Sequence, residues 1–191
     1  MAEIVLFHHA QGLTDGVQAF AADLRDAGHT VHLPDMYEGH TFETLDEGLD
    51  YARTTGFGTV SERGVAAAEE LGTGLVYAGF SLGVMPAQQL AQTRAGATGA
   101  LFFHACLPVS EFGETWPDGV PVQVHGMQDD PFFAGEDLEA AQALVSSTGQ
   151  AELFVYPGNQ HLFTDASLPS FDEAAAGEVK SRTLAFLAGI G

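Results

Sequence analysis

The chain has 191 residues, of which 46% are hydrophobic and 17% charged, and this composition is typical of a globular domain with a sizeable core. Its 26 acidic residues outnumber its 6 Lys and Arg, so the formal net charge is −20. So few cations cannot replace the counterions of a phosphate backbone, which excludes ordinary nucleic-acid binding and argues against an anionic membrane surface. The single cysteine, Cys106, excludes an intrachain disulfide.

The first residues, Met1–Ile4, carry no basic segment, and no apolar run reaches the length of a membrane span. We therefore expect neither secretion nor membrane insertion, and we predict a cytoplasmic location. The oligomeric state is expected to be a monomer or a small homo-oligomer.

Short β-rich runs alternate along the chain with helix-like segments. The runs predict strands at Glu3–Phe7, Thr30–Leu33, Gly74–Ala78, Gly99–His104, Val120–His125 and Ala151–Tyr156. The segments between them predict helices at Gly16–Ala27, Thr44–Arg53, Thr59–Leu71, Leu82–Arg94, Gly135–Thr148 and Ser170–Leu187. This alternation predicts the α/β class, with a doubly wound, mostly parallel sheet of about six strands flanked by helices. We expect one domain over residues 1–191, without a cap domain.

The motif Gly79-Phe80-Ser81-Leu82-Gly83 lies between a predicted strand and a predicted helix. A G-x-S-x-G at such a junction is the pattern of a nucleophile elbow, which exposes a strained serine above the sheet. Ser81 is therefore the candidate nucleophile. Because ligands of open parallel sheets bind beyond the carboxyl ends of the strands, its partners are expected after other strands.

A serine nucleophile needs a base, and the base needs a carboxylate that fixes its tautomer. His161 lies in a loop rich in turn formers after the last predicted strand and is the candidate base. Asp129 and Asp130 follow the fifth predicted strand, in the Ser–acid–His order that this fold uses. We favour Asp129, because Asp130 precedes Pro131 and its backbone is biased to an extended conformation.

Stabilisation of an oxyanion requires backbone N–H donors close to the nucleophile. One donor is expected from Leu82, which follows the nucleophile, and the other from the loop after the first strand. In that loop we favour the N–H of Ala10 and keep Gln11 as the alternative.

Cofactor sites are not indicated. The segment Gly12–Gly16 lacks the lysine of a phosphate-binding loop. The chain also lacks the His-Glu-x-x-His motif and the cysteine spacing of zinc sites, so we expect no metal and no other cofactor.

The chain resembles the dienelactone hydrolase family of α/β-hydrolases over nearly its whole length. The stretches that carry the resemblance are Ile4–His9, Ala27–Tyr37, the elbow Gly79–Gly83, Gly126–Asp129 and Tyr156–Phe163. The resemblance implies a compact α/β-hydrolase fold, cofactor-free hydrolysis of esters and lactones, a Ser81–His161–Asp129 triad, and Ala10 and Leu82 as oxyanion donors.

Two departures from the family pattern concern specificity. The best-known dienelactone hydrolases have cysteine at the position of Ser81. They also have a glutamate at the position of His9 and an arginine near Gly39 or His40, which respond to the substrate carboxylate. The resemblance with these departures implies a broader carboxylic-ester hydrolase.

The sequence thus predicts a serine hydrolase that acts on a small-molecule ester or lactone. The alternatives are a non-catalytic binding protein of the same fold, or an acyltransferase or thioesterase that uses the same site. The candidates for a substrate pocket are His9, Gln11, Tyr37, Phe132 and Phe163. Further aromatic residues that could line a pocket are Phe42, Phe57, Phe112, Trp116 and Phe133.

Overall fold

A computed structural model describes residues 1–190 and contains one six-stranded sheet. The strands are β1 (Glu3–Phe7), β2 (Thr30–His32), β3 (Leu75–Phe80), β4 (Ala97–Phe103), β5 (Val122–Met127) and β6 (Ala151–Tyr156). Their order across the sheet is β2-β1-β3-β4-β5-β6, and every neighbouring pair is parallel. The predicted α/β class and parallel sheet are confirmed.

Within residues 1–190 five α-helices lie between strands and a sixth follows β6, and all six lie within a few residues of the predicted positions. They are α1 (Asp15–Asp26), α2 (Leu45–Thr55), α3 (Phe57–Glu69), α4 (Val84–Thr93), α5 (Glu136–Ser147) and α6 (Glu173–Ala188). Three of the helices, α1, α2 and α6, have side-chain N-caps. The caps are Thr14, Thr44 and Asp172, each of which accepts a hydrogen bond from a backbone N–H of the first turn.

The central strands are buried on both faces, as expected when helices cover both sides of a parallel sheet. Along β1, Val5 and Phe7 belong to one hydrophobic core, whereas Ile4 and Leu6 belong to another on the opposite face. The alternation follows from the two-residue repeat of a strand. These two cores pack against the two faces of the sheet.

Two strands extend further at their carboxyl ends than the sequence predicted. β3 continues through Gly79 to Phe80, and β5 continues through Gly126 to Met127. Glycine at position 126 serves close packing, because a Cβ there would lie 2.3 Å from the ring of Phe133. These strand ends set the positions of the residues that follow them.

Within residues 1–190, no helix combines the length and the apolar character needed to cross a membrane.

Candidate active site

Ser81 stands directly after β3, in a single 3-10 turn that leads into α4. Its φ is 48°, a left-handed conformation that is uncommon for a non-glycine residue. The flanking glycines permit the tight turn. A Cβ on Gly79 would lie 2.1 Å from the Gly83 carbonyl oxygen, and one on Gly83 would lie 2.5 Å from that of Phe7. The local geometry is therefore that of a nucleophile elbow.

His161 lies in the loop after β6 and reaches Ser81 from across the sheet edge. Its Nε2 is 2.9 Å from Ser81 Oγ. The structure thus brings together two of the residues that the sequence predicted as partners, although they are 80 positions apart.

The carboxylate that contacts His161 belongs to Asp130 and not to Asp129. Asp130 Oδ2 is 2.7 Å from His161 Nδ1, and the Asp130 side chain is fully buried. Asp129 is exposed, and its N–H donates to the Gly158 carbonyl oxygen at 2.9 Å. The prediction that Asp129 is the partner of His161 is wrong.

The correction has a local cause. Because β5 ends at Met127, the turn at Gln128 and Asp129 directs Asp129 to solvent and Asp130 inward. Asp130 Oδ1 accepts the N–H of Phe132 at 2.9 Å, which leaves Oδ2 for the imidazole. The following proline restricts the backbone of Asp130, but it does not keep the side chain away from His161.

The three side chains form one directed chain of hydrogen bonds. A carboxylate can only accept, so His161 Nδ1 carries the proton that Asp130 accepts. Nε2 then has a free lone pair for the Ser81 hydroxyl proton. This tautomer is the one that a general base for Ser81 requires.

Two aromatic rings pack against His161. Phe132 lies over it at a centroid distance of 4.7 Å and an angle of 34°, and Phe132 is itself 48% exposed. His104 meets it edge-on at 5.7 Å. Burial lowers the pKa of His104 well below its usual value, helped by the neighbouring histidines, so it adds a neutral ring beside His161.

The loop after β1 packs against the elbow through its backbone. A Cβ on Gly83 would lie 2.7 Å from the His8 carbonyl oxygen as well as close to Phe7. In this loop the Gln11 N–H donates to His9 Nδ1 at 3.2 Å. Of the two alternative donors for an oxyanion, Gln11 is therefore engaged elsewhere, which favours Ala10.

Most of the predicted pocket residues are inaccessible in this structure. The exposed fraction is 1% for His9, 4% for Gln11 and 0% for Tyr37 and Phe163. Tyr37 instead donates its hydroxyl to the Gly48 carbonyl oxygen at 3.2 Å, and burial raises its pKa. Only Phe132 among these five combines exposure with contact to a residue of the hydrogen-bonded chain.

Sequence reasoning missed a second histidine–carboxylate pair beside the site. His9 Nε2 lies 2.7 Å from Asp165 Oδ2, and both side chains are buried. The two residues are 156 positions apart, and no local motif connects them. The only available signal was that Asp165 follows His161 by four positions.

Within residues 1–190, no three His, Cys, Asp or Glu side chains are arranged to hold a metal ion. The cysteine follows β4 and is buried, and burial with the nearby Asp137 charge raises the pKa of the Cys106 thiol to about 12. A thiol with so high a pKa is protonated at neutral pH and is a poor nucleophile.

The family model for the dienelactone hydrolase family matches residues 1–191. The chain belongs to the dienelactone hydrolase family. It is therefore an α/β-hydrolase of the ester-hydrolysing kind. No curated protein matches the chain significantly.

Solved structures show the same fold at low sequence identity. A dienelactone hydrolase-like promiscuous phosphotriesterase from metagenomic libraries is 21% identical, with a TM-score of 0.75 over 100% of this chain and 87% of its own. A proposed α/β-superfamily hydrolase from Xanthomonas campestris pv. campestris is 20% identical, with a TM-score of 0.69 over 99% of both chains. A cold-adapted esterase from an Arctic intertidal metagenomic library is 20% identical, with a TM-score of 0.62 over 97% of this chain and 81% of its own.

Proposed function

We propose that the protein is a serine hydrolase that cleaves a carboxylic ester or lactone through an acyl-enzyme. The proposal rests on the hydrogen-bonded chain from Ser81 through His161 to Asp130, with distances of 2.9 and 2.7 Å. This chain lies at the carboxyl edge of a parallel sheet, where such folds bind ligands. Ser81 is the nucleophile, His161 the base and Asp130 the group that orients the base.

In the acylation step, Ser81 Oγ attacks the carbonyl carbon and its proton passes to His161 Nε2. The C–O bond of the leaving group then breaks, and His161 returns the proton to the departing alcohol oxygen. In the second step, water attacks the acyl-enzyme, its proton passes to Nε2, and the acid is released as Ser81 regains a proton.

The negative oxygen that forms in both steps needs N–H donors close to Ser81. Leu82 is the second residue of the 3-10 turn that begins at Ser81, where the first N–H groups have no partner within the helix. Ala10 lies in the neighbouring loop, and within residues 1–190 its N–H donates no hydrogen bond to another protein group. These two N–H groups are the proposed oxyanion hole.

The substrate is proposed to be uncharged. A carboxylate-bearing substrate would need a cation at the site, because the net charge of −20 repels anions. Each of the six Lys and Arg side chains instead donates a hydrogen bond to another part of the fold. The acceptors are the carbonyl oxygens of Val31, Met36 and Ala68, the carboxylates of Asp50 and Asp23, and the Tyr156 hydroxyl. The exposed ring of Phe132 offers an apolar surface for an acyl chain or leaving group next to His161.

A fluorophosphonate probe tests the nucleophile, because it forms a covalent bond only with an activated serine. We expect labelling at Ser81 by peptide mass spectrometry, and we expect Ser81→Ala to lose both the label and the turnover of p-nitrophenyl butyrate. A burst of p-nitrophenol equal to the enzyme concentration would reveal the acyl-enzyme. Wild-type rates of ester cleavage in Ser81→Ala would refute the assignment.

The substrate class is tested with a panel that includes a neutral aryl ester, the same ester with a carboxylate on its acyl group, a neutral lactone and an aryl phosphotriester. We expect the neutral ester to be cleaved faster than its anionic analogue, and the difference to shrink as salt is added. A preference for the anionic ester would contradict the proposal. The phosphotriester is included because one structural neighbour is a promiscuous phosphotriesterase.

A further inference from the structure

Asp165 is a buried carboxylate with an unusually complete set of hydrogen bonds. Its side chain is 3% exposed. It accepts from the His9 ring at 2.7 Å, the Thr14 hydroxyl at 2.5 Å, the Ser167 N–H at 2.8 Å and the Ser167 hydroxyl at 2.6 Å. Burial alone raises a carboxyl pKa, but these bonds outweigh it and lower the pKa of Asp165 to about 2. The carboxylate is therefore ionised at neutral pH and can only accept.

An ionised Asp165 determines the tautomer of His9. Because Asp165 Oδ2 must accept, His9 Nε2 carries the proton, and Nδ1 is left with a lone pair. That lone pair accepts the Gln11 N–H at 3.2 Å. His9 is thus a link between a buried carboxylate and the backbone of the loop after β1.

The hydrogen bond between His9 and the Gln11 N–H affects the neighbouring peptide group, which carries the N–H of Ala10. With the Gln11 N–H turned to His9, the N–H of Ala10 is the donor that this loop can offer to an oxyanion. The loop also contacts the elbow directly, through the close approach of Gly83 to the Phe7 and His8 carbonyl oxygens. A rotation of the Gln11 peptide would therefore alter the donor geometry next to Ser81.

Asp165 also belongs to the segment that carries the base. It follows His161 by four positions, and its N–H donates to the Leu162 carbonyl oxygen at 3.0 Å. The one carboxylate therefore connects the loop after β1 with the loop after β6, which supply an oxyanion donor and the base respectively.

We propose that Asp165 and His9 are positioning residues for the oxyanion hole: Asp165 fixes the His9 tautomer, and His9 fixes the Gln11 N–H, so that the Ala10 N–H faces Ser81. This inference rests on the proposed ester hydrolysis at Ser81. It adds two residues, neither of which touches the substrate.

Substitutions of His9 separate its two hydrogen bonds. In His9→Asn the amide oxygen lies close to the former Nδ1, so it can accept the Gln11 N–H, but the shorter side chain loses Asp165. In His9→Gln the amide nitrogen lies close to the former Nε2 and can donate to Asp165, but the Gln11 N–H loses its acceptor. His9→Leu loses both bonds, and Asp165→Asn disturbs the tautomer.

We expect kcat for p-nitrophenyl butyrate to fall about 10- to 100-fold in Asp165→Asn, His9→Gln and His9→Leu, with KM within about threefold of wild type, because transition-state stabilisation is lost. His9→Asn should lose clearly less than His9→Leu. In the double variant His9→Leu/Asp165→Asn, the second substitution should lower kcat little further. Both residues act through the same hydrogen bond, from the Gln11 N–H to His9.

Thr14→Val is the matched control, since it removes one bond to Asp165 and the cap of α1 without touching His9. We expect it to lower the Tm while leaving kcat unchanged. If kcat instead followed the Tm across all variants, or if His9→Asn were as impaired as His9→Leu, the pair would be merely structural and the inference would be overturned.

A readout independent of activity separates this inference from the proposed function. Amide hydrogen exchange of Gln11, followed by NMR, should accelerate at least tenfold in Asp165→Asn and His9→Leu but less in His9→Asn. Unchanged exchange in Asp165→Asn would overturn the link even in an active enzyme. Failure of Ser81 to react with a fluorophosphonate would instead overturn the proposed function, and with it the catalytic part of the inference.

Discussion

The site and its buried surroundings contain two histidine–carboxylate pairs with the same 2.7 Å distance. In both, a fully buried or nearly buried carboxylate fixes which ring nitrogen carries the proton. The two pairs differ in the hydrogen-bond partner of the second ring nitrogen. In His161 it meets the Ser81 hydroxyl, whereas in His9 it meets the backbone N–H of Gln11.

This difference separates the catalytic role proposed for His161 from the positioning role proposed for His9. A hydroxyl can give up its proton to an imidazole during a reaction, whereas a peptide N–H cannot do so at neutral pH and only holds its place. The side chain of His161 keeps 8% of its surface exposed, and that of His9 only 1%. On these proposals the same pair of residue types serves either proton transfer or positioning, and the third hydrogen-bond partner decides which.

The largest expected effect comes from Asp130, the carboxylate of the proposed catalytic pair. Asp130→Asn should lower kcat by about 10⁴-fold, because an amide can no longer hold His161 in the tautomer that accepts the Ser81 proton. Asp129→Asn is the matched control, since Asp129 is an exposed neighbour of the same size, and its kcat should equal that of wild type. Steady-state kinetics on p-nitrophenyl butyrate measure both. The opposite ranking would restore Asp129 as the acid and remove the comparison between the two pairs.

The carboxylate partner of His161 could not be predicted from the sequence, whereas the elbow could. The elbow was predictable because its glycines, its serine and the flanking strand and helix are contiguous in the chain. The choice between Asp129 and Asp130 depends on where β5 ends, and the strand continues two residues beyond its predicted end at His125. Gly126, the first residue beyond the predicted end, is a point of close packing against Phe133.

The fold itself was largely predictable, because each strand is a short apolar run between turn residues. The bounds of β1 and β6 coincide with the predictions. The contact between His9 and Asp165 was not predictable, since it depends on how two loops at opposite ends of the chain meet above the finished sheet. Burial also removed Tyr37 and Phe163 from the predicted pocket, because aromatic residues near a site in sequence can belong to the core.

Other buried histidines differ from these two pairs because they have no carboxylate at hydrogen-bond distance. Burial lowers the pKa of His8 to about 4 and that of His125 to about 3, although a hydrogen bond to the His9 backbone partly opposes the shift in His8. In the unfolded chain both rings take up protons near pH 6.5. Between about pH 6.5 and 4 the unfolded state therefore binds more protons than the folded state, so stability falls as the pH falls.

The free energy of unfolding, measured with urea, should fall by on the order of 1 kcal/mol per pH unit for each such histidine within this window. His125→Phe should reduce the slope, because it removes one of these titrations from a stack of aromatic rings. Equal slopes in wild type and His125→Phe would show that burial does not keep this ring neutral.

The smallest expected effect concerns the ring that covers His161, the proposed base. The centroid of the Phe132 ring lies 4.7 Å from that of His161, and Phe132 is 48% exposed. Phe132→Ala should lower kcat/KM for p-nitrophenyl butyrate about 3- to 10-fold, which corresponds to the contribution of an aromatic contact. The loss should be smaller for p-nitrophenyl acetate if the ring contacts the acyl chain, and equal for both esters if it only orients His161. The ratio of the losses for the two esters therefore assigns Phe132 either to substrate binding or to the support of His161. Phe132→Leu is the control, because it keeps an apolar side chain at this position.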